Sequence, residues 1–299
     1  MPHYFDLNQP WFPFFNRQQF PKALNEGLRQ LNLVRTTQFA VYATPKGTPF
    51  YFMGIAAFAS HDYQTATFFF DAAVAEDVRN YAKNNNTPAL LFMRLDKTDQ
   101  GQAAKQIVDI LVDRLSIALS DYAARKGSKP LSLDNVRDYF LDHLKRPRQR
   151  TLTATFISFL AEWDYRLQMI DLARDVSREP FFTHLFRGCL LFECLLKEKA
   201  SNSGKSKTLG PLVNDQLKAL SIGKQIKTKS SGLGAILQQL RPNQQLQTSI
   251  QCTAQTRNKL GHNLVWAATS LNRSNYDLLA RNIAASCLHA IACLYVPQK

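Results

Sequence analysis

The sequence predicts a mainly α-helical protein. Apolar residues recur at helical spacing through most of the chain, as in residues 101–127, where the apolar stripe is stopped by Gly127 and Pro130. Hydrophobic residues make up 45% of the chain and charged residues 20%, so the composition is that of a globular protein and excludes a disordered one. Only residues 37–54 have the β-branched and aromatic composition of a strand hairpin, around Pro-Lys-Gly, and for this segment helix and strand stay open.

Helical patterns and breaks divide the chain into two parts. In the first, residues 52–82 predict two helices around a polar turn at 60–62. The remaining segments with helical periodicity are 132–144, which opens with a capping Ser or Asp, 153–176, 181–200, 209–220, 232–240, 245–260 and 275–296. Prolines interrupt the basic run KRPRQR at 145–150 and the segment SREP at 177–180. We therefore expect an N-terminal helical region over residues 1–174 and a C-terminal helical bundle over 175–299.

Basic residues are concentrated in the second part. The net charge is +14, and 16 basic against 6 acidic residues from Asp175 onward account for +10 of it. Such a concentration favours an anionic partner, most often nucleic acid, although solubility alone would also explain it. The lysines expected to contact a phosphate backbone lie in and after the two polar connections at 201–208 and 221–232: Lys205, Lys207, Lys224, Lys227, Lys229 and, further on, Lys259. The alternative for these lysines is a set of solvated loops.

Metal, cofactor and membrane functions find no support in the residue patterns. The six histidines form no HxxxH or HExxH motif, and the five cysteines form no CxxC pair, so we expect neither a metal site nor a cofactor. The cysteines at 189, 194, 287 and 293 occupy apolar helical patterns and are expected to be buried. No signal peptide and no membrane span are expected, which predicts a cytoplasmic protein.

One helical hairpin in the first part resembles a tetratricopeptide unit. Gly54, Ala66, Phe70 and Ala73 have the offsets of that unit's small and aromatic contact positions. The two small residues would let the helices approach closely, with Phe70 filling the groove between them. No second unit follows near Pro88, so an ordinary helical hairpin is the alternative. By this resemblance the first part would bind a protein partner.

An Arg and a His near the C-terminus form the most specific pattern. Three pairs of this kind occur, at 137/143, 178/184 and 257/262. The first contains two aspartates that would repel a phosphate, and the second spans a proline at a helix start. Only Arg257 and His262 lie in an acid-free stretch with an Asn, Asn258, directly after the Arg. A solvated helix end is the alternative for this pair.

The segment RNKLGH at 257–262 resembles the Arg-polar-x-x-x-His motif of the HEPN superfamily, a compact helical fold whose active members are metal-independent ribonucleases. Such domains open with a helix that carries an acid, here Glu193, and close with a long helix after the motif, here 275–296. The resemblance covers about residues 175–299. It implies a homodimer in which two motifs face one groove, and service in a prokaryotic toxin–antitoxin or anti-phage system, with the first part sensing a signal or binding an antitoxin.

The residue types suit the chemistry that the resemblance implies. A metal-free ribonuclease must take the proton of a ribose 2′-hydroxyl, and a His with a pKa near 6.5 does so at neutral pH. An Arg guanidinium neutralises the phosphorane, so the resemblance implies this role for Arg257, with Asn258 and Glu193 as orienting groups. Glu193 and Lys197 also have the spacing of a simple helix ion pair. The rival function is a non-catalytic HEPN-type dimer scaffold that binds a protein or RNA partner.

Overall fold

The computed structural model of the chain describes residues 10–37, 46–81, 84, 86–96, 101–172, 177–201, 204, 206–227, 232–240, 245–261 and 271–297. Within these residues it contains thirteen helices and no strand, so the mainly α-helical class is confirmed. The helices are α1 (Phe12–Asn16), α2 (Phe20–Thr37), α3 (Gly47–Ala59), α4 (Tyr63–Asn80), α5 (Pro88–Met93), α6 (Gln102–Ala123), α7 (Leu133–Leu144), α8 (Pro147–Met169), α9 (Glu179–Lys199), α10 (Leu209–Asp215), α11 (Leu233–Gln239), α12 (Leu246–Leu260) and α13 (Arg273–Leu294).

The chain forms two compact units. Unit 1 comprises residues 1–112 and 140–158, and unit 2 comprises residues 113–139 and 159–299. The limits between them fall within α6, α7 and α8. Unit 2 therefore takes in residues on both sides of the boundary expected between 174 and 175.

In unit 1, α3 and α4 form the helical hairpin predicted from residues 52–82. Asp62 caps α4 by accepting a hydrogen bond from the Thr65 amide at 3.1 Å. A Cβ on Gly54 would lie 2.7 Å from the ring of Phe70, so the two helices approach as closely as the pattern of small residues predicted. Residues 47–54, where helix and strand stayed open, belong to α3. The hairpin and its close approach are confirmed, while membership of the tetratricopeptide class stays a prediction.

Two helix starts show how local sequence signals act. At α7 the Ser132 hydroxyl accepts from the Asn135 amide at 3.1 Å, while the Asn135 side chain accepts from the Ser132 amide at 3.0 Å, which is the expected cap in reciprocal form. At α8 the helix begins at Pro147, within the basic run KRPRQR, because proline suits the first helical position. Arg150, in the first turn, pairs with Asp71 at 3.0 Å.

The core of unit 2 is built from α9, α12 and α13, which pack against one another. Gly188 of α9 permits this packing. A Cβ there would lie 2.8 Å from Cγ2 of Ile283 on α13 and closer still to the ring of Phe159 on α8. Among the described residues α13 is the one helix long and apolar enough to cross a membrane, and 72% of its most apolar window is buried in the protein. A core helix meets the same criterion.

A methyl group at Gly188 is expected to destabilise the protein by about 1–3 kcal/mol, because the neighbouring Phe159 and Ile283 side chains would have to move. The measurement is the midpoint of urea unfolding for the Gly188→Ala variant. Gly234 is the matched control, since it lies in α11 with no atom within 4 Å of an added Cβ. Gly234→Ala should leave the midpoint unchanged or raise the stability by up to about 1 kcal/mol. Equal midpoints for both variants and the native chain would contradict the close approach at Gly188.

Candidate functional site

The C-terminal end of α12 carries Arg257. The helix ends as the sequence indicated, with Leu260 as its last residue and Gly261 following in a helical conformation. Arg257 lies in the last turn with its side chain 19% exposed. Thr253 and Ser249, one and two turns earlier on the same face, are fully buried, so this face of α12 passes from the core to the surface at Arg257.

Glu193 of α9 holds Arg257 in place. Its Oε2 accepts a hydrogen bond from Nε of Arg257 at 2.8 Å, and its Oε1 accepts one from Nζ of Lys197 at 2.6 Å. The carboxylate is buried, with 3% of the residue exposed. The sequence left Glu193 as an orienting group or as one half of a helix ion pair with Lys197, and the structure contains that ion pair together with the contact to Arg257. A buried carboxylate between two cations offsets its lost hydration through charged hydrogen bonds.

The guanidinium of Arg257 reaches along the end of α12. Its Nη1 lies 3.7 Å from the position that a Cβ of Gly261 would occupy, next to the ring of Phe186. Apart from the Nε contact, the guanidinium has no acceptor among the described residues. One edge of it is therefore fixed by protein, and the other edge lies beside the residue that precedes His262. His262 itself falls outside the described residues.

The other predicted site residues are dispersed. Asn258 and Lys259 are half-buried in the last turn of α12, and Lys224 and Lys227 are exposed in the segment after α10. Lys207, for which a phosphate contact or a solvated loop was expected, pairs with Asp215 at 2.5 Å on the surface. Lys205 and Lys229 lie outside the described residues.

The segment that carries Lys224 and Lys227 is anchored to α12 through its backbone. Gln251 accepts a hydrogen bond from the Lys227 amide at 3.0 Å, and Gln255 donates to the Lys227 carbonyl at 3.1 Å. Gln247 donates to the Lys224 carbonyl at 3.1 Å. A row of glutamines on one side of α12 thus fixes the backbone of a connecting segment that the sequence predicted only to be polar. The spacing 247, 251, 255 was the signal that could have indicated it.

A buried polar network holds the other end of α12, and sequence reasoning missed it. Arg125, 7% exposed, donates to the Ser249 hydroxyl of α12 and at 3.2 Å to the Asn282 side chain of α13. Asn282 donates to the Ser249 carbonyl and the Thr253 hydroxyl, both at 2.9 Å, and Thr253 shares a hydrogen bond with Ser286 at 2.8 Å. The three hydroxyls and the Asn282 side chain of this network are buried, and each has a partner, as burial requires.

The two described histidines of unit 2 belong to its core. His184 donates from Nε2 to the Phe159 carbonyl at 2.9 Å and accepts at Nδ1 from the Tyr276 hydroxyl at 2.7 Å. Burial lowers the pKa of His184 to about 3, and burial likewise lowers the pKa of His289 to about 4. His289 donates to the Leu220 carbonyl at 2.7 Å. Both imidazoles are neutral at physiological pH and have both ring nitrogens engaged, so neither is placed for acid–base catalysis at a surface.

Two of the four cysteines expected to be buried are so. Cys189 and Cys287 are fully buried and hydrogen-bond to backbone carbonyls, and burial raises the pKa of each thiol. Cys293 is half-buried. Cys194 is exposed, so the expectation that it is buried was wrong. It directly follows the buried Glu193 on α9, which points into the core. No group of three or more metal-ligating side chains occurs among the described residues.

Comparisons with known proteins gave no match from which a function could be taken. No protein-family model matches the sequence, and neither the curated proteins nor the solved structures yielded a match.

Removal of the Glu193 charge is expected to destabilise unit 2. In Glu193→Gln the cations of Arg257 and Lys197 would lose their buried counter-charge, at a cost of about 1–3 kcal/mol in the free energy of unfolding. Lys197→Ala is the matched control, because it removes only the more exposed partner and should cost less than about 1 kcal/mol. Urea titration of the two variants measures the difference. A Lys197→Ala variant as unstable as Glu193→Gln would show that the Arg257 contact contributes little.

Proposed function

We propose that the protein is a metal-independent endoribonuclease whose active site is formed by Arg257 and His262. The observation that carries the proposal is the arrangement of Arg257. Glu193 fixes its Nε edge, and its Nη edge has no acceptor within the described structure and lies beside the residue before His262. A guanidinium held in this way is ready to bind a phosphate without further ordering. The resemblance of 257–262 to the HEPN motif supports the same conclusion.

The proposed reaction is a transesterification at one phosphodiester. His262 takes the proton from the ribose 2′-hydroxyl, whose oxygen forms a bond to phosphorus. Arg257 stabilises the charge of the phosphorane, and Asn258 orients the reacting groups. The bond from phosphorus to O5′ then breaks and that oxygen takes up a proton, so the products are a 2′,3′-cyclic phosphate and a 5′-hydroxyl. Glu193 acts by positioning Arg257.

The histidines of unit 2 add an argument by elimination. The unit holds three, and His184 and His289 are buried with lowered pKa values and engaged ring nitrogens. If a histidine of this unit exchanges a proton with RNA, it is therefore His262. The alternative function is a non-catalytic HEPN-type scaffold. The ion pair of Arg257 with Glu193 is the observation that favours this scaffold, because the pair also stabilises the packing of α9 against α12.

The proposed mechanism predicts cleavage without metal. The purified protein, or the protein with its activating partner, should cut RNA in EDTA, and a substrate with one 2′-deoxy sugar at the cleavage site should survive. His262→Ala and Arg257→Ala should each lose about 10²–10⁴-fold in rate, because the base or the countercharge of the phosphorane is gone. Gel assays of 5′-labelled RNA measure this.

Arg29→Ala supplies the control for these variants, since Arg29 is exposed on α2 with Glu26 as its ion-pair partner, and its removal should leave the rate unchanged. RNA binding by the His262→Ala protein should persist. Full activity of that variant, or loss of cleavage in EDTA, would contradict the proposed ribonuclease and favour the non-catalytic scaffold.

A homodimer follows from the single copy of the motif, because two chains would bring a second His and Arg to one groove. We propose that the dimer forms through the C-terminal half and that the first part binds a protein partner or antitoxin, as in a prokaryotic defence or toxin system. Sedimentation equilibrium at micromolar concentration should give twice the chain mass of 34.0 kDa. A monomer under these conditions is the contrary result.

RNA binding should depend on salt through lysines near the site. For the Lys227→Ala/Lys259→Ala double variant, the plot of log affinity against log salt for single-stranded RNA should flatten by about 0.7 for each phosphate interaction that the substitutions remove. Lys105→Ala/Lys145→Ala is the control, since both lysines are exposed outside unit 2. Fluorescence anisotropy at several salt concentrations gives the slopes. Identical slopes for the two double variants would remove Lys227 and Lys259 from the RNA surface.

A further inference from the structure

A groove of about 570 Å³ opens at the N-terminal end of α12, within unit 2. Its walls come from the first turn of α12, from the residues that follow α6 and from the segment 221–224. The volume lies in the range of sites that hold a small organic molecule. Arg257 lies ten residues beyond Gln247 of the groove on the same helix, about 15 Å away along the helix axis, so the groove is a separate site.

The charge of the groove is positive. Lys126 and Lys224 line it, and among the described residues no Asp or Glu does. Neither lysine has an ion pair within the described structure. Their backbones are fixed to the first turn of α12, because the Lys126 carbonyl accepts from the Leu246 amide at 2.9 Å and the Lys224 carbonyl accepts from the Gln247 side chain at 3.1 Å. Two lysines with anchored backbones therefore border one cavity, and no carboxylate of the described residues lines it to neutralise them.

Neutral donors and an apolar wall complete the lining. The backbone N–H of Gln247 and the hydroxyl of Thr248 have no hydrogen-bond partner among the described residues. This backbone N–H belongs to the first turn of a 15-residue helix, where the helix dipole favours an anion. Ile222 and Leu246 supply apolar surface to the same groove. Cations and donors beside an apolar wall suit a molecule that joins a phosphate to a flat, weakly polar body.

We propose that this groove binds a phosphate ester of mononucleotide size. Lys126, Lys224 and the first turn of α12 hold the phosphate, and Ile222 and Leu246 contact the nucleoside. The proposal goes beyond RNA cleavage and does not depend on it. It also gives Lys224 a role other than the RNA backbone contact expected from the sequence.

Calorimetric titration of the full chain tests the proposal with the four nucleoside monophosphates, the corresponding nucleosides and inorganic phosphate as probes. At least one monophosphate should bind, its nucleoside should bind at least about tenfold more weakly, and inorganic phosphate should compete. Lys126→Ala/Lys224→Ala should weaken monophosphate binding about tenfold or more, while Lys105→Ala/Lys145→Ala should leave it unchanged. Circular dichroism and the urea midpoint verify that each variant is folded.

Three results would overturn the proposal. The first is no binding of any monophosphate at millimolar concentration. The second is equal binding by the Lys126→Ala/Lys224→Ala variant and the native chain. The third is that the Lys126→Ala/Lys224→Ala variant binds single-stranded oligouridine more weakly than the native chain does, while no monophosphate binds or competes. The groove would then be part of an RNA surface. Cleavage activity enters none of these measurements, so they remain distinct from the test of the proposed ribonuclease.

Discussion

The buried carboxylate of Glu193 is the constraint on which the candidate site depends. A carboxylate in the interior loses its hydration, and that loss is offset only when cations and donors approach it closely. Arg257 from α12 and Lys197 from the next turn of α9 provide them, at 2.8 and 2.6 Å. Because Arg257 reaches Glu193 from the last turn of α12, any shift of α12 along α9 by one turn would leave the carboxylate without its stronger partner.

The opposite end of α12 is fixed by a second set of polar contacts. Arg125 binds both Ser249 and Asn282, and Asn282 continues the network to Thr253. Hydrogen bonds of this kind demand particular distances, whereas apolar contacts tolerate sliding, so they define the register of α12 against α13. Gly188 adds a steric limit by bringing α9 close to α13. The guanidinium of Arg257 and the groove beside Gln247 thus occupy the two ends of one rigidly placed helix.

Helical periodicity predicted α9, α12 and α13 within a few residues, because each has an apolar face that continues for several turns. The Gly54 and Phe70 contact was predictable for a related reason, since a small residue opposite an aromatic one implies close helices. The network of Arg125 was not, because Arg125 is more than a hundred residues from its partners Ser249 and Asn282 and each of the three resembles an ordinary surface residue. An orienting role for Glu193 was implied by a family resemblance, but its contact with Arg257 was not expected. The pair of Arg178 and His184 was set aside as a site because it spans a proline, and the fold buries the His184 imidazole between a carbonyl and Tyr276.

The residue type at position 257 is explained by the two demands made on it. The end of an α-helix carries a partial negative charge, which opposes a phosphate, so a cation in the last turn is needed for any phosphate to bind there. A lysine would meet that demand, but its single ammonium would have to choose between Glu193 and a phosphate. Arginine presents separate donors on two edges of one plane, so Nε stays on Glu193 while the Nη groups face the other side. The contact that stabilises the fold therefore also holds the guanidinium in the orientation that the proposed reaction requires.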